Sequence, residues 1–209
     1  MALALSIVGG AAVYANELKG CAEVYVGTRF YFLTAADTHV EVGAMGAYLD
    51  GGAGYVMEKS GRKYAVYACY FSLSEGETAQ NNLHNKGKKT NILCLPYENL
   101  YFKTAEEKRE QDFIIGGLHA LYACIGALGK AASALEDGRC TQESAKAELK
   151  AHATVLHGLQ RTGIFSATLL QEAEETLKAS GENIVFAKDV RYAQLLLCDA
   201  YCRAAEQLS

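Results

Sequence analysis

The chain has 209 residues, of which 50% are hydrophobic and 21% charged, with a single proline. That length suits one large domain or two small ones, and the composition excludes collagen-like and Pro-rich disordered classes. A net charge of -4 leaves no basic footprint for nucleic-acid phosphates, and the short cluster Lys86, Lys88, Lys89 does not reverse this.

In chain order, residues 2–15 are apolar without one charge. The stretch falls short of the ~20 residues that span a bilayer and lacks the basic leader of a signal peptide. Residues 1–19 therefore read as the end of a truncated membrane anchor, with Asn16 to Lys19 at its exit; the alternative is a buried N-terminal strand or helix.

Residues 29–95 contain a repeat with a period of about thirty residues. In the first copy, Phe30 to Leu33 predicts a strand and Thr38 to Leu49 a helix whose apolar face is Val42, Met45 and Leu49. Asp50-Gly51-Gly52 stops that helix, residues 54–58 form a second strand, and residues 59–62 form a turn. The second copy opens on the aromatic strand Tyr64 to Cys69, continues with a helix capped by Ser74 and ending at Lys86-Gly87, and closes on the strand Thr90 to Leu95. Pro96 ends the sheet in this reading. Two strand-helix-strand halves in tandem give a βαββαβ, ferredoxin-like α+β module: a four-stranded antiparallel sheet with both helices on one face and the other face open for recognition.

Residues 97–103 read as a connection and residues 104–209 as an all-helical C-terminal domain. Its first helix runs from the charged run Glu106 to Glu110 to Leu135, and its many glycines and alanines suit a close helix neighbour. The apolar window 113–129 approaches membrane-spanning length, but His119 and the charged flanks favour a buried core helix. The second helix is capped by Thr141 and ends near Gln160. The third runs from Ser166 to Lys178, broken by Ser180-Gly181, and the last runs from Phe186 to Gln207. The four form a bundle of their own or pack on the free edge of the sheet.

Chemistry-bearing motifs are absent. The sequence has no G-x-S-x-G, H-E-x-x-H or P-loop, and its paired glycines lack a dinucleotide fingerprint. The seven cysteines are scattered without zinc-ligand spacing and read as small buried hydrophobes. His152 and His157 are five residues apart, so they sit on diverging helix faces, and Glu106-Glu107 and Glu174-Glu175 read as solvated faces. No catalytic residue, cofactor or metal is expected.

The stretch Tyr64-Ala65-Val66-Tyr67-Ala68-Cys69-Tyr70-Phe71, with Ser74-Glu75-Gly76-Glu77-Thr78-Ala79, Leu83 and Lys86-Gly87, resembles the SPOR (sporulation-related repeat) domain. The first copy resembles it more loosely, through Phe30 to Thr34, and the likeness covers residues 29–96, about a third of the chain. The resemblance implies a bacterial cell-envelope protein, often anchored by an N-terminal membrane segment, whose open sheet face binds septal peptidoglycan glycan. Leu33, Ala35 and Tyr67 stand where the family usually has Gln, Gly and Arg.

Strict alternation turns Phe30, Phe32 and Thr34 toward the module's helices and leaves Tyr31, Leu33 and Tyr67 on the open face. These three are the candidate ligand-binding residues, because a tyrosine ring stacks on a sugar while its hydroxyl hydrogen-bonds. The competing expectation is that the sheet face packs on the helical domain of an intracellular protein-protein interaction module. An enzyme with a pocket between the domains ranks last.

Overall fold

The computed structural model describes residues 5–7, 11–13, 15–18, 21–36, 39–103 and 108–208. Two short strands, β1 (Leu5–Ile7) and β2 (Ala11–Val13), pair with each other, and β3 (Ala15–Leu18) pairs with the start of β4 (Cys21–Ala35). Then follow α1 (Val40–Leu49), β5 (Tyr55–Lys59), β6 (Arg62–Tyr70), α2 (Leu73–Asn85) and β7 (Thr90–Lys103). The remainder is helical: α3 (Lys108–Glu136), α4 (Gln142–Gln160), α5 (Ala167–Glu182) and α6 (Ala187–Glu206). The parts of the apolar segment 2–15 that are described lie in β1, β2 and the first residue of β3; residues 1–4, 8–10 and 14 are outside the described set.

The protein is α+β, with an antiparallel sheet whose central order is β5-β6-β4-β7 and with β3 added beside the first half of β4. β4 and β7 are longer than their sequence signals. Tyr97 to Lys103, expected to be a connection, continues β7 and pairs with Cys21 to Thr28. Pro96 sits inside that strand opposite Arg29. Among the described strands β7 pairs with β4 alone, and an edge strand tolerates the missing N–H of proline.

Local signals explain the turns and caps. Ser60 (φ 50°) and Gly61 (φ 73°) both adopt positive φ between paired Lys59 and Arg62, the two-residue turn that matches strand twist. The N-cap of α2 is Ser72, not Ser74: its hydroxyl accepts from the Glu75 N–H at 3.3 Å and donates to the Glu75 carboxylate at 2.9 Å. At the other end, the Lys88 N–H returns to the Leu83 carbonyl at 3.0 Å, so Lys86-Gly87 closes the helix as expected. Thr141 caps α4 by accepting from the Ser144 N–H at 3.2 Å. α5 runs on through Ser180-Gly181 to Glu182, because Gly181 is packed against α4, where a Cβ would lie 3.5 Å from Lys150.

The two sheet faces are assigned the opposite way from strict alternation. Phe30, Phe32, Val66, Met57 and Leu95 join Leu121, Ile125, Leu196 and Tyr201 in one large core, so their face is covered by α3 and α6. Leu33 and Tyr67 face the module's own helices, in a smaller core with Ala47 of α1 and Ala79 and Leu83 of α2. Periodicity gives two faces but not which layer covers each, and the bulkier aromatic face went to the larger helical layer. A register shift compounds this: Leu33 pairs with Ala68 while Thr34 pairs with Val66, so Tyr67 is an extra bulged residue and Tyr67 and Ala68 turn to the same side. α1 and α2 cover that second face only around Leu33 and Tyr67; farther along β4 and β7 it is exposed, at Tyr25 (37%) and Tyr101 (45%).

α1 reverses its expected orientation too. It packs through Gly43 and Ala47, while Val42, Met45 and Leu49 are 63%, 62% and 75% exposed. Small residues let the helix lie close to the sheet. α3 is long and apolar enough to cross a membrane by length and composition, and one side of it, Leu118, Leu121, Ile125 and Leu128, is buried in the large core.

Candidate functional site

Leu33 and Tyr67 come together at a cleft of about 520 Å³ between α1 and α2, walled on its far side by the end of α3 and the start of α6. Leu33 is 1% and Tyr67 6% exposed, so both form the floor. The third candidate, Tyr31, does not line this cleft. Its Cβ lies 3.8 Å from where a Cβ on Gly76 of α2 would be, beneath that helix rather than on a free face.

The seating of Tyr67 has a local cause. A Cβ on Gly52 would lie 2.7 Å from its Cδ1 and 3.0 Å from its Cα, so only glycine admits the ring at this depth. The bulge also turns the Tyr67 carbonyl outward to accept from the Ala53 N–H at 2.8 Å. The hydroxyl of Tyr67 donates to the Asp50 carboxylate at 3.3 Å, and Lys88 pairs with the other oxygen of Asp50 at 2.8 Å.

Across the cleft, Arg191 of α6 is 4% exposed. Its Nε and Nη2 donate to the two oxygens of Glu136 at 2.8 and 2.6 Å, a bidentate pair. The guanidinium carbon lies 5.7 Å from the centroid of the Tyr70 ring, and Nη1 has no hydrogen-bond partner among the described residues. Lys188 sets its ammonium 3.9 Å from the centroid of Tyr48, linking α6 to α1. Asn82 of α2 and its C-cap Lys86 complete the polar wall.

Arg191 also lines a second, larger groove of about 890 Å³ along α3, with Tyr70, Phe71 and Tyr122 on one side and Lys130, Arg139 and Glu148 on the other. Burial raises the Tyr70 and Tyr122 hydroxyls above the ordinary tyrosine range, which keeps both rings neutral hydrogen-bonding groups. Sequence reasoning missed Arg191, Lys188 and Asn82, because nothing in spacing brings α6 to the side of α2.

The other titratable groups are structural. Glu174, expected on a solvated face, is buried: Lys178 pairs with it and the Gln160 amide donates to it at 2.7 Å, while His157 approaches to 3.7 Å. His152 instead meets Glu148, so the two histidines do serve different faces. Cys69, Cys124, Cys198 and Cys202 are buried and Cys94 is exposed. Among the described residues, no three His, Cys, Asp or Glu side chains converge as a metal set. Residues 104–107, with Glu106 and Glu107, lie outside the described residues.

No family model, curated protein or solved structure matches the chain.

Proposed function

We propose that this chain is a non-catalytic binding and scaffolding protein of the bacterial cell envelope, built on a SPOR-like module with ferredoxin-like connectivity and tethered through its apolar N-terminal segment. The strand order β5-β6-β4-β7, with α1 and α2 on one face, supports the βαββαβ reading. The peptidoglycan glycan seat moves from the sheet face, which α3 and α6 cover, to the cleft over Leu33 and Tyr67.

One observation carries this: the cleft joins an aromatic floor to a wall of hydrogen-bonding groups, with Asn82, Lys86 and Glu136 beside Tyr67. Its volume falls in the range of small-ligand sites, and sugars are held by this mixture of ring faces and polar groups. Co-sedimentation with amidase-treated sacculi tests it. Wild type should pellet with the glycan, and Asn82→Ala and Lys86→Ala, both at exposed positions, should reduce the pelleted fraction severalfold. Wild type staying in the supernatant overturns the glycan assignment.

A second reading is favoured by the covered sheet face itself. With that surface given to α3 and α6, the protein is an interaction module whose partner is another protein. Retention of an envelope protein with no retention of glycan selects it.

A further inference from the structure

We propose that the α6 end of this cleft is a site for a phosphate monoester. Helix α6 is 20 residues long and its N-cap, Phe186, offers no side-chain acceptor. No acceptor meets the N–H groups of Ala187 and Lys188 among the described residues. Both residues line the cleft. An uncapped helix N-terminus concentrates partial positive charge and free donors, which suits an anion.

A second and independent feature points the same way. Arg191 reaches the same cleft from the second turn of α6, almost wholly buried, with Nη1 unpartnered. A buried cationic N–H without an acceptor is costly, and a ligand oxygen arriving at the back of the cleft relieves that cost. Lys86 and Lys188 line the walls and add two positive charges, the Lys188 ammonium lying against the Tyr48 ring. The three carboxylates nearby are already engaged: Asp50 by Lys88, Glu136 by Arg191 and Asp137 by Arg139. Asp189, the acid in the first turn of α6, does not line the cleft.

The donor geometry selects the kind of anion. Glu136 takes the Nε–Nη2 edge of Arg191 and the Ser133 hydroxyl accepts from Nη2 at 3.4 Å, so the second edge offers a planar carboxylate Nη1 alone. What is left is a set of single donors from different directions, two backbone N–H groups, two ammonium groups and Nη1. That set fits a tetrahedral group with several oxygens.

The proposal rests on the cleft described under the proposed function, but its probe is inorganic phosphate alone, so it stands or falls separately from glycan capture. In amide NMR titrations of the full chain, the Ala187 and Lys188 signals should shift and saturate with phosphate. Lys188→Glu and Lys86→Glu should each weaken the midpoint on the order of tenfold, and Lys150→Glu, on α4 and away from the cleft, should leave it unchanged. Acetate at equal ionic strength should bind much more weakly. Unmoved Ala187 and Lys188 signals, an equal response to acetate, or an equal loss in Lys150→Glu overturns the site. Phosphate binding in a chain that ignores glycan leaves this site standing and removes the glycan reading. The Lys86 variant, at the exposed C-cap of α2, keeps the test valid if the Lys188 variant unfolds.

Discussion

The hydroxyl of Tyr55 on β5 donates to the carboxylate of Asp199 on α6 at 2.7 Å, with both side chains buried between sheet and helix. Arg203 holds the same carboxylate through Nε and Nη2 at 3.0 and 2.9 Å. A charged acceptor so placed ties the βαββαβ unit to the helical layer by a polar clamp inside an apolar seam. Tyr55→Phe should lower unfolding free energy by about 1.5–3 kcal/mol, the range for hydrogen bonds to charged groups. Asp199→Ala should cost more, since it leaves the buried Tyr55 hydroxyl without its acceptor and also removes the Arg203 pair. Urea denaturation measures both, and a silent Tyr55→Phe argues against the clamp.

The inverted faces separate two sets of substitutions. Leu33→Ala should destabilise by about 2–5 kcal/mol, as large-to-small changes in a closed core do. Val42→Ser, Met45→Ser and Leu49→Ser should each stay within about 0.5 kcal/mol, although the pattern of α1 makes those three its apolar face. Thermal unfolding of the four variants distinguishes the two orientations.

Gly52→Ala should dislodge Tyr67, since the added Cβ meets that ring and its backbone. A loss of about 1–3 kcal/mol is expected from overpacking, together with altered near-UV ellipticity from the displaced tyrosine. Gly46→Ala, where a Cβ meets nothing within 4 Å, should be neutral or slightly stabilising.

On the acid side, the Lys178 contact, joined by the Gln160 hydrogen bond and the charge of His157, holds Glu174 below its ordinary value of 4.5. A depressed carboxylate contributes stability that is present above its unfolded value and lost as pH falls through its folded one. Glu174→Gln should therefore flatten the decline in stability below about pH 4.5 relative to the wild type. Chemical denaturation across that range provides the comparison.

On the alkaline side, burial pushes Tyr201 up to about 12 against the opposing Thr28 hydrogen bond, and burial with Glu172 pushes Tyr192 up to about 12. Raised values mean these tyrosines stabilise the fold fully below the ordinary tyrosine value of 10.0 and lose that contribution as pH rises toward 12. Phenolate absorbance should show a late-titrating group of tyrosines that ionises together with loss of helical ellipticity. Ionisation of all tyrosines near their ordinary value with the helices intact contradicts their burial.

Elements with local signals were legible: the helix limits of α3, α4 and α6 were placed within about two residues by their caps and periodicity, and Lys86-Gly87 closed α2 as read. What was lost depended on contacts distant in sequence. Pro96 reads as a terminator, but β7 lies at an edge where its missing N–H does no harm. Alternation puts Leu33 and Tyr67 on one face, as found, but makes that face open, because the bulge at Tyr67 and the arrival of α6 over Phe30 and Phe32 are tertiary facts. One wall of the candidate cleft, with Lys188 and Arg191, comes from a helix more than a hundred residues beyond β6 in the chain. No pattern within the module announces it.

Amide hydrogen exchange of the full chain, with and without amidase-treated glycan, tests most directly whether ligand enters the cleft rather than the sheet face. Slowed exchange confined to residues 82–86 at the end of α2 and its C-cap and 186–191 at the start of α6, with β4 and β7 unchanged, is the result predicted. Protection of the strands beneath α3 and α6, accompanied by faster exchange in those helices, contradicts it by showing that the helical layer lifts to expose the sheet.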